Sequence, residues 1–256
     1  MIESLYIGAT GLNAQKTQID TISNNLTNVA TPGFKKDRVA FQDLMYANTA
    51  HSVNSNSNLP KVGYGISVAS TEKVFDLGEI KKTDRALDLA IRGKGFLEVL
   101  LPNGEKAYTK AGSLSINSDG MLTTTTGYEL SSNIQIPADT TSIVIREDGE
   151  VYVQVPDQDE FINLGRLELA DFVNQAALSP IGSNLYQETE KSGTAFFGIA
   201  GENGLGKLAQ GFIEVSNVEL VEEMTNLVVA QRAYEVNSKI IQAADQMLSI
   251  VNDLRR

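Results

Sequence analysis

Cysteine and tryptophan are absent from this chain of 256 residues, and histidine occurs once, at position 51. Without cysteine there are no disulfides, no thiolate metal sites and no sulfur nucleophile. A lone His51 cannot build a histidine-rich metal centre, and any Ser-His-Asp relay would have to pass through it. Basic charge is also in short supply: 21 Lys and Arg face 32 Asp and Glu, for a net charge of -11. A phosphate-backbone binder needs a basic footprint, so nucleic acid is not an expected partner. No window reaches the roughly 18 continuous apolar residues of a membrane span. The start, MIESLYIGATGLNAQKTQID, has no basic segment and no unbroken apolar stretch, so it does not read as a cleavable signal peptide.

Apolar residues make up 42% of the chain, enough for one or two domains. Charge is spread unevenly. Residues 1–50 carry four basic and four acidic side chains, and residues 208–256 carry four and seven. The remaining 13 basic and 21 acidic side chains sit in residues 51–207. Nearly neutral ends suit packing against other chains, and a charged middle suits a solvated domain.

The ends carry seven-residue periods. Leu5, Leu12, Ile19 and Leu26 form one row, and Ile22 and Val29 add the offset position. This predicts a helix that stops at Thr31-Pro32-Gly33, where Pro32 cannot continue it and Gly33 permits a turn. At the other end Leu220, Leu227, Tyr234, Ile241 and Leu248 form a longer row. Ala230, Ala244 and Val251 fill the offset position and Asn237 interrupts it. Ser216 and Glu219 have the spacing of a capping box, which predicts a helix over 216–256. Such narrow stripes are expected to need neighbouring chains.

The middle changes period. Residues 34–76 read as an extended arm, with the low-complexity run Asn54–Asn58 inside it. From residue 77 to 190 the period is two. Hairpins are predicted at Phe96–Thr109 around Asn103-Gly104, at Ser113–Thr123 around Asp119-Gly120, and at Ser142–Val155 around Asp148-Gly149. Leu164–Phe172 reads as a further strand, 191–215 as a returning glycine-rich arm, and Leu208–Val215 within it as a short strand. The expected class is α+β: terminal helices pairing as a coiled coil, with an inserted antiparallel β domain.

Three patterns invite chemistry and fall short of it. Gly201–Lys207 matches most of a P-loop, but Leu208 stands where magnesium coordination wants Ser or Thr, and no helix follows. Asp157, Asp159 and Glu160, and likewise Glu147, Asp148 and Glu150, cluster at predicted turns without calcium-loop spacing. Paired carboxylates could also serve glycoside hydrolysis, which keeps a peptidoglycan-active enzyme as the alternative of a different class. No catalytic, cofactor-binding or metal-binding residue is expected.

The segment Ser23-Asn-Asn-Leu-Thr-Asn-Val-Ala-Thr-Pro-Gly-Phe34-Lys35 resembles the N-terminal signature of flagellar basal-body rod and hook proteins. Glu214-Val-Ser-Asn-Val-Glu-Leu-Val-Glu-Glu-Met224, followed by Ala230–Ser238, resembles their C-terminal signature. Similarity continues through Leu87–Gly93 and Gly95-Phe96. Chain length and Gly33–Tyr46 are most similar to the distal rod branch, with the proximal homologue or a hook-like axial protein as the nearest alternative. The resemblance implies a structural subunit with no cofactor, polymerising helically with copies of itself into a drive shaft. Its implied partners are neighbouring rod proteins, the hook protein, the surrounding rings and the flagellar type III export apparatus. It places the chain in the rod that crosses the periplasm. It also marks the turn Thr31, Pro32, Gly33, Phe34 as functional.

Overall fold

The computed structural model describes residues 2–48, 61–156 and 160–254. Two helices bracket a large antiparallel β region, giving an α+β chain. α1 spans Ile2–Thr27 and α2 spans Leu220–Asp253. At 1.5 Å per residue the 34 residues of α2 run about 50 Å. The chain divides into two compact units. One comprises 1–27, 37–72 and 219–256; the other comprises 28–36 and 73–218.

In the first unit α1 and α2 pack together. A Cβ built on Gly8 would lie 2.8 Å from Ile241 Cγ1, and one on Gly11 would lie 2.8 Å from the Asn237 amide. The Asn25 amide donates to the Glu223 carboxylate at 3.4 Å. Partners ascend on one helix as they descend on the other, so the helices run antiparallel. The buried positions along the pair are, apart from Ile22, small or polar: Gly8, Ala14 and Asn25 on α1, Glu223, Ala230 and Ala244 on α2. Small side chains let the backbones approach closely, and Leu5, Leu12, Ile19, Leu26, Leu227, Ile241 and Leu248 are partly buried around them. The same unit holds a long hairpin, Asp37–Asp43 against Ile66–Lys73 and Tyr46–Asn48 against Lys61–Gly63. Asn25 grips its first strand, accepting from Asp37 N–H at 2.8 Å and donating to Asp37 C=O at 2.9 Å.

The second unit has a closed core. Its main sheet orders seven antiparallel strands as Ser179–Gly182, Leu185–Gln187, Lys106–Thr109, Leu97–Leu100, Glu129–Leu130, Leu122–Thr124 and Leu114–Ile116. A three-stranded sheet runs Ser142–Ile145, Glu150–Gln154, Ile162–Arg166. Leu89, Ile91, Val99, Val151, Val153 and Leu169 are fully buried between these elements. An aromatic cluster adds edge-to-face contacts, with Phe96 5.2 Å from Phe75 and Tyr108 4.8 Å from Phe172.

The predicted hairpins form in register: Leu97 opposite Thr109, Leu122 opposite Ile116, Ile145 opposite Val151. Other expectations are corrected. α1 ends at Thr27, because Asn28 C=O accepts Thr31 N–H in a turn that redirects the chain before Pro32. Ser216 does not box with Glu219; its hydroxyl accepts Val218 N–H at 3.3 Å, and α2 begins at Leu220. Leu164–Phe172 is two strands, broken around buried Leu167. Within the expected arm 191–215, the expected strand Leu208–Val215 forms as two, Lys207–Gln210 and Phe212–Glu214, each of them paired. Lys207–Gln210 pairs with Leu89–Arg92, and Phe212–Glu214 pairs with Ile80–Lys82. The period of two failed at Leu89-Ala-Ile because a strand buried on both faces reads as a continuous apolar run. The run Asn54–Asn58 and His51 lie outside the described residues.

Candidate assembly site

The turn after α1 and the strand before α2 are knotted together inside the second unit. Gly33 N–H donates to Glu214 C=O at 2.8 Å, at a φ of +71° that disfavours a side chain. A Cβ there would sit 2.9 Å from the Ala111 Cα, so glycine is required on two counts. Phe34 is buried beside this contact, with the Lys73 ammonium 4.6 Å from its ring centre. Half-buried Thr31 donates its hydroxyl to Asn28 at 3.2 Å, and exposed Pro32 offers its carbonyl to Asn184 at 3.1 Å.

Lys35 and Glu214 then form a fully buried ion pair. The Lys35 ammonium also donates to Asp76 C=O at 2.6 Å, and Gly78 N–H donates to the same Glu214 oxygen at 2.8 Å. Beside them Asn217 accepts Lys36 N–H and donates to Val74 C=O, both at 2.8 Å. A buried pair with several hydrogen bonds contributes specificity more than net stability, since desolvation offsets much of the attraction. Here it fixes which segment lies against which: residues 33–36, 74–79 and 214–217 lock into one node. Lys110 adds a second buried ammonium, which donates to Gly93 C=O at 3.0 Å. Burial, with Lys35 as the next cause, lowers its pKa to about 8 against the opposing pull of Glu214 and Asp171.

The expected seam residues are placed as follows. Ile22 is buried; Leu5, Leu12, Ile19 and Leu26 on α1 are half-buried, as are Leu227, Ile241 and Leu248 on α2. Leu220 and Tyr234 are exposed, at 48% and 41%. Val29 lies in the other unit and is half-buried. Sequence reasoning missed Gly8, Gly11, Asn25 and Glu223 in the helix pair. It also missed the Lys35–Glu214 pair and Asn217. All but the two glycines stand within the quoted signatures, yet a hydrophobic-period search passes over small and polar residues.

The patterns suggestive of chemistry are occupied otherwise. Lys207 pairs with Glu147 at 2.9 Å on a strand, so Gly201–Lys207 is a turn between strands. Glu150 is held by Arg166 at 2.8 Å and by the Tyr152 hydroxyl at 2.7 Å. Those partners lower the Glu150 pKa, as Lys207 lowers that of Glu147. A carboxyl held as an anion suits an ion pair rather than a general acid. Asp157 and Asp159 lie outside the described residues. Among the described residues no three of His, Cys, Asp and Glu gather as a metal site, and no helix is long and apolar enough to cross a membrane.

Comparison with known proteins matches three family descriptions along the chain. "Flagella basal body rod protein" covers residues 5–35. "Flagellar hook protein FlgE/F/G D1 domain" covers 90–153, and "Flagellar basal body rod FlgEFG protein C-terminal" covers 209–254. The first and third contain the two segments that meet at the node. Among relatives, the flagellar basal-body rod protein FlgG of Borreliella burgdorferi is 46% identical, with both chains covered in full. That of Caulobacter vibrioides is 42% identical over 99% of this chain and all of its own. That of Bacillus subtilis is 37% identical, again over the full length of both. The chain belongs to the family of flagellar basal-body rod proteins.

Proposed function

We propose that this chain is a structural, non-catalytic subunit of the bacterial flagellar basal-body rod. The observation that carries the reading is full-length likeness to rod proteins, joined to a helix α2 that leaves Val221, Val236, Ile240, Met247 and Ile250 exposed. In this reading α1 and α2 pair as a coiled coil, with Leu12, Ile19 and Leu26 along one side and Leu227, Tyr234 and Ile241 along the other. The helices assemble with copies of the chain into a helical shaft. The subunit leaves the cell through the export apparatus and takes its place in the distal part of the rod, between neighbouring rod proteins and the hook, inside the surrounding rings. The node around Lys35 and Glu214 lends rigidity to a part that transmits torque, because each of its segments is held by several hydrogen bonds.

The test is genetic and structural together. Deleting the gene in its bacterium should abolish swimming and leave basal bodies without a completed rod and hook. Complementation by Ile241→Asp should fail after normal export, since a charge in the helix contact costs several kcal/mol unless it is paired or protonated. Rods that assemble fully without the chain would overturn the proposal. An enzyme working on peptidoglycan is the competing reading; turnover of purified peptidoglycan, abolished by Asp157→Asn, would favour it.

A further inference from the structure

The β unit holds a cavity of about 390 Å³ that the rod reading does not use. That size falls within the range of small-ligand sites, about 300–1,000 Å³. It lies where three elements of the unit meet: the hairpin of Leu97–Leu100 and Lys106–Thr109, the end of strand Ile162–Arg166, and the edge strand Phe196–Gly198, which pairs with Leu169–Asp171. Successive strand side chains point to opposite faces, so Phe197 lines the cavity and Phe196 does not. Phe197 is 45% exposed, and the Lys106 ammonium lies 5.5 Å from its ring centre. Two polar atoms of lining residues are orphaned. Ser132 Oγ and Arg166 Nε are shut off from solvent, and neither has a hydrogen-bond partner among the described residues. A buried polar atom left unpaired is costly, and an acceptor supplied from the cavity would offset both.

The charges of the lining are already matched. Lys106 pairs with Glu98 at 3.2 Å and Arg166 with Glu150 at 2.8 Å. Glu168, exposed and also part of the lining, sets a third carboxylate against two cations, which disfavours an anionic ligand such as a phosphate. Among the described residues no group of His, Cys, Asp and Glu could hold a metal ion there. The cavity offers an occupant unpaired N–H and O–H groups, carboxylate acceptors and one aromatic face. An uncharged ligand with an amide, hydroxyls and a C–H face matches that set, and an N-acetylated amino sugar has all three. We infer that this cavity is a glycan site for N-acetylated amino sugars: the acetamido carbonyl accepts from Arg166 Nε–H and the Ser132 hydroxyl, ring hydroxyls donate to Glu98 and Glu168, and the apolar ring face stacks on Phe197. The helices and the full-length likeness carry the rod reading; this site adds a ligand to the β unit and leaves that reading as it is.

The test is saturation-transfer NMR on the full-length chain, with tri-N-acetylchitotriose as the probe and binding read as a titration curve. Wild type should bind with a Kd on the order of 1 mM, the acetamido methyls being the most strongly saturated. Phe197→Ala should weaken binding on the order of tenfold. Ser132→Ala, which removes a hydroxyl that has no partner to lose, should weaken it about threefold. Phe196→Ala, on the other face of the same strand, should bind as wild type. Maltotriose, which has the hydroxyls without the acetamido groups, should give no saturation. Nor should the capped peptide N-acetyl-trialanine amide, the probe for an extended peptide adding to the edge strand. Thermal melting checks that each variant keeps the fold. The inference is overturned by no saturation from tri-N-acetylchitotriose at about 10 mM, by binding that Phe197→Ala and Ser132→Ala both leave unchanged, by a loss as large in Phe196→Ala as in Phe197→Ala, or by maltotriose or the capped peptide binding as tightly. Basal bodies containing the chain alongside any of those results would leave the rod assignment standing.

Discussion

The two units use apolar residues in opposite ways. In the β unit Leu89, Ile91, Phe96, Val99, Val151 and Leu169 are fully buried. In the helical unit the positions sealed from water are mostly Gly, Ala, Asn and Glu, while Val221, Val236, Ile240, Met247 and Ile250 are exposed. A core whose large aliphatics are already buried gains little from a partner. A helix pair that leaves many of its large aliphatics outside has further hydrophobic stabilisation to gain on association. On the proposed function, the contrast separates a part expected to fold alone from a part expected to be completed by other copies.

The largest expected effect falls on the node. Glu214→Leu leaves the Lys35 ammonium buried without its partner and should cost about 3–5 kcal/mol of β-unit stability, read by urea unfolding. Lys35→Met/Glu214→Leu should recover most of that loss. A single variant as stable as wild type would mean that the node is unimportant to the β unit.

Next comes Lys110. Its folded pKa lies near 8 and its ordinary value at 10.5. Between those values the unfolded chain binds a proton that the folded chain does not, so stability should rise with pH, by about 3 kcal/mol over the whole window. Burial raises the Tyr108 pKa far above 10, so the unfolded chain alone loses that proton above pH 10, which caps the gain. Lys110→Met should flatten the rise between pH 8 and 10. An unchanged pH profile in that variant would assign the rise elsewhere.

Gly33→Ala should cost about 1–3 kcal/mol, from a strained positive φ and the approach to Ala111. The loss should appear in the melting of the β unit. The smallest thermodynamic signal, and the sharpest test of the boundary, comes from limited proteolysis of dilute protein. Cleavage should fall first in α1 and α2 and spare 73–218.

Local chemistry was legible where it is self-contained. Asn103-Gly104 and Asp148-Gly149 announced their hairpins, and Leu227–Leu248 announced α2, because turn residues and helical period act between near neighbours. What escaped was decided at long range. Phe212–Glu214 read as strand, but its pairing with Ile80–Lys82, some 130 positions away, did not show. Lys35 closed the N-terminal signature, but nothing near it in sequence showed that Glu214 meets it across 179 positions. Gly8 and Gly11 carry no hydropathy signal, yet they are where α1 approaches Ile241 and Asn237 most closely. The functional signatures were visible as strings; that they meet in a node was not.

Hydrogen exchange on verified monomer tests the central contrast most directly. The account predicts slow amides in Leu89–Arg92, Leu97–Leu100 and Glu150–Gln154 and fast amides along α1 and α2, with the helices gaining protection when copies assemble. Helices as protected in the monomer as those strands, with no gain on assembly, would contradict it.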